Sequence, residues 1–355
     1  MRPELLTDIG EYQAHVALED LLNLRGERRI GDDCAIHHIA DDEVLLVNID
    51  RLASNVEEYN RARLCVVQTL SDIICMGGVP DSFLVALTLP RTTTLQSLKD
   101  LTTALQDELA SYGARLIGGD TKEGAAFHMV GVALGKAHPN YLVRRIGARP
   151  GMLIGVTSTG GRPWGARWAH AIIHELRLEV PSKLAGWCAL ADRTIRLPYA
   201  ESQAAIATGY VRAGLDLSDG VGGGLRLLAR TSDVGINLDR TALASLVDIR
   251  LVPVSRAVNL PIECFALSPG YNWENMYAVA EEGASAVAEA VRSCGGLFTV
   301  VGRTEYTPGI RLDGVNVAES RLPVDEKFAK DHTWEDRFTA WRENCRQILG
   351  VFDGR

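Results

Sequence analysis

Residues 95–121 read LQSLKDLTTALQDELASYGARLIGGDT, and this stretch sets the fold class. Leu95, Leu98, Leu101, Leu105 and Leu109 recur at helical spacing, which places them along one stripe of a helix. Thr93 and Gln96 stand at the separation of a capping box, and Gly113 supplies the stop. A short apolar strand, Arg115 to Ile117, follows and runs into Gly118-Gly119-Asp120-Thr121. A helix, a strand, paired glycines and then a carboxylate make one unit of an α/β chain with polar groups at its strand ends.

The same pattern continues on both sides. Val44 to Ile49 reads as a strand ending on Asp50, and Leu64, Val67, Leu70 and Ile74 mark a helix from about Ala62 to Met76. Phe83 to Leu89 is strand-like up to Pro90, and Phe127 to Leu134 is a further strand. The turn cluster Gly147-Ala148-Arg149-Pro150-Gly151 is the natural boundary. Beyond it come a strand (Leu153 to Thr157), two helices between Gly165 and Arg196, and a helix from Gly220 to about Ala229. A last helix is expected near Trp334 to Leu349. At roughly 100–200 residues per domain, the 355 residues divide into 1–148, 149–312 and a more polar extension, 313–355.

Composition narrows the function classes. Apolar residues make up 46% of the chain, enough for a core in each half without disulfides or a structural metal. Acidic residues outnumber basic ones 45 to 37, a net charge of −8 that speaks against a general nucleic-acid binder. The 7 cysteines form no CxxC pair and mostly sit among apolar neighbours, as reduced, buried thiols do. No apolar run is long enough for a membrane span and no signal-peptide core follows Met1, so a soluble cytoplasmic protein is expected.

The usual nucleotide and hydrolase signatures are missing: there is no GxxxxGK[ST], no HExxH and no GxSxG. His37 and His38 are adjacent, and on a strand they would face opposite ways. What remains is a series of aspartates at the ends of apolar segments, most within two residues of glycine, serine or threonine: Asp32, Asp33, Asp50, Asp72, Asp120, Asp216 and Asp219. Any one of them could be a turn or cap residue. Together, converging carboxylates repel unless cations neutralise them, and hard oxygen ligands favour Mg2+ or Ca2+ over zinc.

Four motifs then resemble a known family. Gly31-Asp32-Asp33-Cys34-Ala35, Ser71-Asp72-Ile73 with Met76-Gly77-Gly78-Val79-Pro80, Gly118-Gly119-Asp120-Thr121, and Asp216-Leu217-Ser218-Asp219-Gly220 occur in the order seen in thiamine-monophosphate kinases. Those enzymes belong to the aminoimidazole-ribonucleotide synthetase superfamily, and Gly10-Glu11-Tyr12 looks like their N-terminal Gly-Glu-Phe. The resemblance implies a two-domain α/β fold in which the N-terminal domains of a homodimer pair their sheets and bind ATP and Mg2+. Carried over by motif, Asp32, Asp50, Asp72, Asp120 and Asp219 would hold Mg2+. Asp33, Ser71, Thr121, Arg145, Ser218 and Gly220 would contact the nucleotide, and Asp219, Asp120 and Arg145 would form the catalytic group.

The departures fall elsewhere. The kinases' Thr-Asp-Thr is Ile49-Asp50-Arg51 here and their following His-Phe is missing; their Gly-Asp-Ser is Gly161-Arg162-Pro163. An aspartate after Ser-Asp-Gly is replaced by Gly224, and Gly-Glu-Asp-Tyr-Glu becomes Gly270-Tyr271-Asn272-Trp273-Glu274. Arg51, Arg162, Tyr271 and Trp273 are therefore candidates for an altered pocket taking a small anionic acceptor. Three functions stay open: an ATP- and Mg2+-dependent phosphotransferase, a C–N bond-forming enzyme that activates its substrate by phosphorylation, and a nucleotide-binding partner without turnover.

Overall fold

The computed structural model describes residues 5–22, 31–53, 56–159, 164–270, 272–324 and 333–350. Its first half holds α1 (Leu6–Leu22), β1 (Ala35–Ala40), β2 (Glu43–Arg51), α2 (Arg61–Cys75), β3 (Val79–Pro90), α3 (Leu95–Ala110), β4 (Arg115–Gly124) and β5 (His128–Ala137). The strands form one sheet in the order β1-β2-β5-β3-β4, antiparallel throughout except for the parallel pair β3 and β4.

The second half holds β6 (Leu153–Ser158), α4 (Ala166–Glu175), α5 (Ser182–Arg193), α6 (Tyr199–Ala207), β7 (Val211–Asp216), α7 (Gly220–Ser232), β8 (Gly235–Leu238), α8 (Arg240–Leu246) and α9 (Val252–Ala257). It continues through β9 (Asn275–Val279), α10 (Ala284–Ser293), β10 (Leu297–Glu305), β11 (Gly309–Leu312), β12 (Val315–Val317) and α11 (Trp334–Ile348). Seven strands pair in the order β12-β11-β8-β10-β6-β9-β7.

Helix α2 shows why these halves meet where they do. Its residues Val66, Val67, Leu70, Ile73 and Ile74 are all buried, more than one face requires. One side lies on β2 and β5, and the opposite side packs on β7 and α6 of the second half. A helix apolar nearly all round is a buried helix. Polar bonds cross the same seam: Tyr277 Oη donates to the Cys75 carbonyl at 3.2 Å, and Gln203 Nε2 to the Gly78 carbonyl at 3.0 Å.

Several expectations are adjusted. The α3 cap is Thr94, whose side chain accepts from the Ser97 amide at 3.0 Å, one residue later than the capping-box spacing indicated. Of its leucine stripe, Leu105 and Leu109 are buried while Leu95 at the helix start is exposed. Gly118-Gly119-Asp120 does not turn away from the sheet; β4 continues through it to Gly124. The extension after 312 is no appendage, because β12 joins the second sheet and Phe338, Trp341 and Cys345 of α11 enter the second core. Conversely, Leu197 packs into the first core although it follows the Gly147–Gly151 turns.

Candidate active site at the seam between the sheets

The site begins with three short connections. Gly31 to Cys34 leads into β1, the C-terminal half of α2 carries Ser71 and Asp72, and β7 ends on Asp216. One carboxylate oxygen from each of Asp33, Asp72 and Asp216 lies within 4.8 Å of the others. Asp216 is 5% exposed, and its carboxylate accepts from the hydroxyls of Ser71 at 2.5 Å and Ser218 at 3.0 Å. Asn48 Nδ2 donates to Asp72 and, at 3.2 Å, to the Thr69 carbonyl.

Burial sets the electrostatics first, and like charge adds to it. Burial and then Asp33 push the Asp216 carboxyl up to about 7, against the two hydroxyl bonds. Burial likewise drives Asp72 far above the carboxylate range, with Asp216, Asp33 and Asp50 adding repulsion. Asp33 is pushed up by burial while the forked guanidinium of Arg145, at 2.5 Å, pulls the other way. Burial opposes the charge on Arg145, yet Asp33, Asp72 and Asp216 more than offset it and hold its pKa above the ordinary value. All donors in this cluster are oxygens and the negative charge exceeds the adjacent positive charge, so the residues fit a hard divalent cation.

The motif residues divide into two groups. Asp50 shares the inner face of β2 with Leu46 and Asn48, and its charge reaches Asp72 and Cys65. Asp219 stands at the N-cap of α7, where its side chain makes no capping bond and its charge acts on Asp216. Gly220 takes φ +81, and a Cβ there would strike the Ser268 carbonyl and, at 2.6 Å, the Gly270 amide. Asp32 is turned aside: it accepts from Arg144 at 2.7 Å and from the Arg145 amide at 3.0 Å.

Asp120 and Thr121 are not brought to the cluster. Across the sheet, Arg51, Val130, Ala86 and Asp120 form one row, and Gly131 and Val85 place Asp50 in the neighbouring row. Asp50 and Asp120 therefore point to opposite faces. The Asp120 side chain is 64% exposed and lies 3.5 Å from Lys122. Arg51 is exposed on the same outer face, three strand spacings or about 14 Å away.

Of the candidates for the acceptor pocket, Arg162 and Tyr271 lie outside the described residues. Trp273 is half-buried against the first core, with the guanidinium of Arg167 over its ring at 4.4 Å. Its indole is thus not an open platform. Glu274, beside it, is pushed up to about 7 by burial, with Arg167 acting in the other direction. The Leu217 amide donates to the Glu274 carbonyl at 2.9 Å, so Trp273 runs alongside Ser218 and Asp219. Gly224 faces the core, where a Cβ would meet Leu217 at 2.6 Å; an acid there could not reach the cluster without repacking.

Sequence reading did not give Asp216 its central place, and it missed Asn48, Arg144, Arg167 and Glu274. A serine two residues after a strand-end aspartate was the available signal for Asp216. Nothing local marks the others, whose partners stand 24 and 112 positions away for Asn48 and Arg144.

The chain is thus a two-sheet α/β protein without a P-loop, with a carboxylate cluster at the seam beside a helix that both halves share. Residues 31–137 match the model for "AIR synthase related protein, N-terminal domain". The thiamine-monophosphate kinase of Escherichia coli K12 is 30% identical over 295 residues, covering 78% of this chain and 84% of that protein. The Pyrococcus horikoshii enzyme of the same name is 27% identical over 302 residues, 83% and 89% of the two chains. A solved ThiL structure complexed with AMPPCP and TMP superposes with TM-score 0.75 at 19% identity, covering 89% of this chain and 97% of that one. The chain belongs to the thiamine-monophosphate kinase family and is an ATP-dependent kinase.

Proposed function

We propose that this chain transfers the γ-phosphoryl group of ATP to the phosphate of thiamine monophosphate, with Mg2+ held by Asp33, Asp72 and Asp216. The observation that carries the metal part is the three-carboxylate cluster, in which burial and then the charge of Asp33 raise the Asp216 carboxyl, and burial and then Asp216 and Asp33 raise that of Asp72. The acceptor follows from relatives that carry that name over most of their length. Bound Mg2+ supplies charge neutralisation on phosphate oxygens.

The chain's own groups do the remaining work. A phosphate nucleophile is already ionised, so no general base is required and positioning dominates. Arg145, locked by Asp33, presents a fixed cation at the cluster. The amides opening the 13-residue helix α7 add positive potential beside Asp219. Ser71 and Ser218 hold the Asp216 carboxylate in one orientation.

A second reading keeps the chemistry and changes the acceptor, and the rewritten position Trp273, held beneath Arg167, favours it; Arg51, on the outer face, takes no part. Incubation with Mg-ATP and thiamine monophosphate, read as ADP release and product mass, decides between the two. Formation of the diphosphate establishes the first reading. No turnover with it, and turnover of another anionic metabolite, establishes the second. In either case Trp273→Ala should raise the acceptor KM while leaving ATP affinity within a few-fold.

We also infer a homodimer through the outer face of the first sheet. Val47, Leu84, Val132 and Leu134 are half-buried there and Ile49 is 68% exposed, an apolar sheet face that a second copy would cover. Light scattering at micromolar concentration tests this, and Ile49→Lys with Val132→Lys should give the monomer mass. No helix among the described residues is long and apolar enough to cross a membrane.

A further inference from the structure

Helix α11 carries Trp334, Phe338, Trp341 and Cys345 along one stripe, and that stripe lies on the second core. Trp334 stacks on Phe338 at 5.2 Å, and Trp341 stands edge-on to Trp168 at 5.5 Å and to Phe265 at 5.6 Å. Trp341 also forms a directional bond: its Nε1 donates to the Leu267 carbonyl at 3.1 Å. Trp164 Nε1 donates to the neighbouring Ala266 carbonyl at 3.2 Å. Two successive buried carbonyls are thus fixed by indoles from separate parts of the chain, each bond costly to leave unmade.

The residues that follow lead straight to the site. Ser268 and Gly270 press against Gly220, the first residue of α7 after Asp219. Asn272 Nδ2 then donates to Ser268 Oγ at 2.8 Å, and Trp273 comes to lie beneath Arg167. Arg167 and Trp168 are consecutive on α4, one reaching Trp273 and the other reaching α11. Helix α11 is therefore tied to the acceptor-side segment both through its backbone carbonyls and through α4.

We propose that α11 is a clasp on residues 265–270 and 272–274, and that Trp341 is a positioning residue that sets acceptor binding without touching the acceptor. This rests on the reading above that Trp273 faces the acceptor. Trp341 acts through the Leu267 carbonyl, so loss of its N–H lets Ser268 and Gly270 shift against Gly220 and carries Asn272, bonded to Ser268, and its neighbour Trp273 with them. The metal-side carboxylates hang on α2, β7 and the Gly31 turn, and they keep their places.

The test compares Trp341→Phe with Trp334→Phe in the full-length protein, using Mg-ATP and thiamine monophosphate. Both variants keep an aromatic ring, but the Trp334 Nε1 has no hydrogen-bond partner among the described residues, so only the first loses a bond. Trp341→Phe should raise the KM for thiamine monophosphate by about 3- to 10-fold, the cost of roughly one hydrogen bond, with the ATP KM within twofold. Trp334→Phe should leave both unchanged. Trp164→Phe, which removes the neighbouring bond, should repeat the split and serves if Trp341→Phe does not fold. Unchanged acceptor KM in both carbonyl-binding variants, or an equal rise in both KM values, overturns the clasp, while Trp273→Ala still raising the acceptor KM leaves the acceptor-side reading standing. If Trp273→Ala moves nothing, or the unmodified protein does not turn over thiamine monophosphate, the reading itself fails and the clasp falls with it.

Discussion

The seam between the sheets and the outer face of the first sheet treat the same side chain in opposite ways. At the seam, Asp72 is surrounded by α2, β2 and β7, and its carboxyl is driven toward the neutral form by burial and by three other aspartates. On the outer face, Asp120 stands in solvent beside Lys122, where an ion pair is worth at most about 1 kcal/mol. Charge that is cheap on the face is costly at the seam, so the seam stores energy that a cation can release.

The largest effect expected from this contrast is on turnover. Asp72→Asn and Asp216→Asn each remove a charge from the cluster and should cut phosphotransfer at least about 100-fold, in the range found for a lost electrostatic contact to a reacting group. The same variants should raise the melting temperature in EDTA, because each replaces a carboxyl that burial, and then neighbouring aspartates, make costly to carry in the metal-free fold. Thermal scans with and without Mg2+ check this. A loss of activity with no gain in metal-free stability would mean that the cluster is not strained.

Arg145 sharpens the comparison from the cationic side. Arg145→Met leaves Asp33 buried beside Asp72 and Asp216 without its forked partner, and breaking a buried pair costs roughly 3–5 kcal/mol. Urea unfolding measures it. Arg91→Met, which breaks an exposed pair with Glu123, should stay within about 0.5 kcal/mol of the parent.

The third expectation is a pH dependence with a fixed sign. The Asp216 pKa is raised to about 7 in the folded chain from the ordinary 3.8. The native state therefore binds more protons than the unfolded state between those values. Stability falls as pH rises through that window, the reverse of an ion-paired aspartate. Melting temperatures in EDTA should drop from pH 5 to pH 8, and added Mg2+ should flatten or invert the slope as it displaces the protons. Asp216→Asn should shallow the EDTA slope.

How much of this was legible follows from the range of the interactions involved. Elements with local signals were readable: α3 from its leucines and β2 from its apolar run up to Asp50, while α11 was expected near its place without a stated periodicity. The existence of a carboxylate site was readable too, since aspartates recur at strand ends. Which of them converge was not. The Ser71–Asp216 bond spans 145 positions and the Arg144–Asp32 bond spans 112, and no local pattern encodes such pairings. The face of Asp120 depends on β4 running on through Gly118 and Gly119, which break most strands but are tolerated on this edge. The Arg167–Trp273 contact joins residues separated by everything from α5 to α9, so Trp273 read alone as an open surface.

The smallest effect is expected at Asp120, and it is the most direct test of the contrast. Asp120→Asn removes an exposed charge whose only close partner among the described residues is Lys122, so folding stability should change by no more than about 0.5 kcal/mol. The EDTA slope with pH should also match that of the parent, because Asp120 lies on the face away from Asp72 and Asp216. Within one chain, nothing carries its charge to the cluster. If turnover nevertheless falls steeply while stability and pH slope stay put, Asp120 must act on a second copy across the proposed dimer face, and its effect should vanish in the background of Ile49→Lys with Val132→Lys. If stability and slope move as they do for Asp72→Asn, the two faces are not electrostatically separate and the contrast fails.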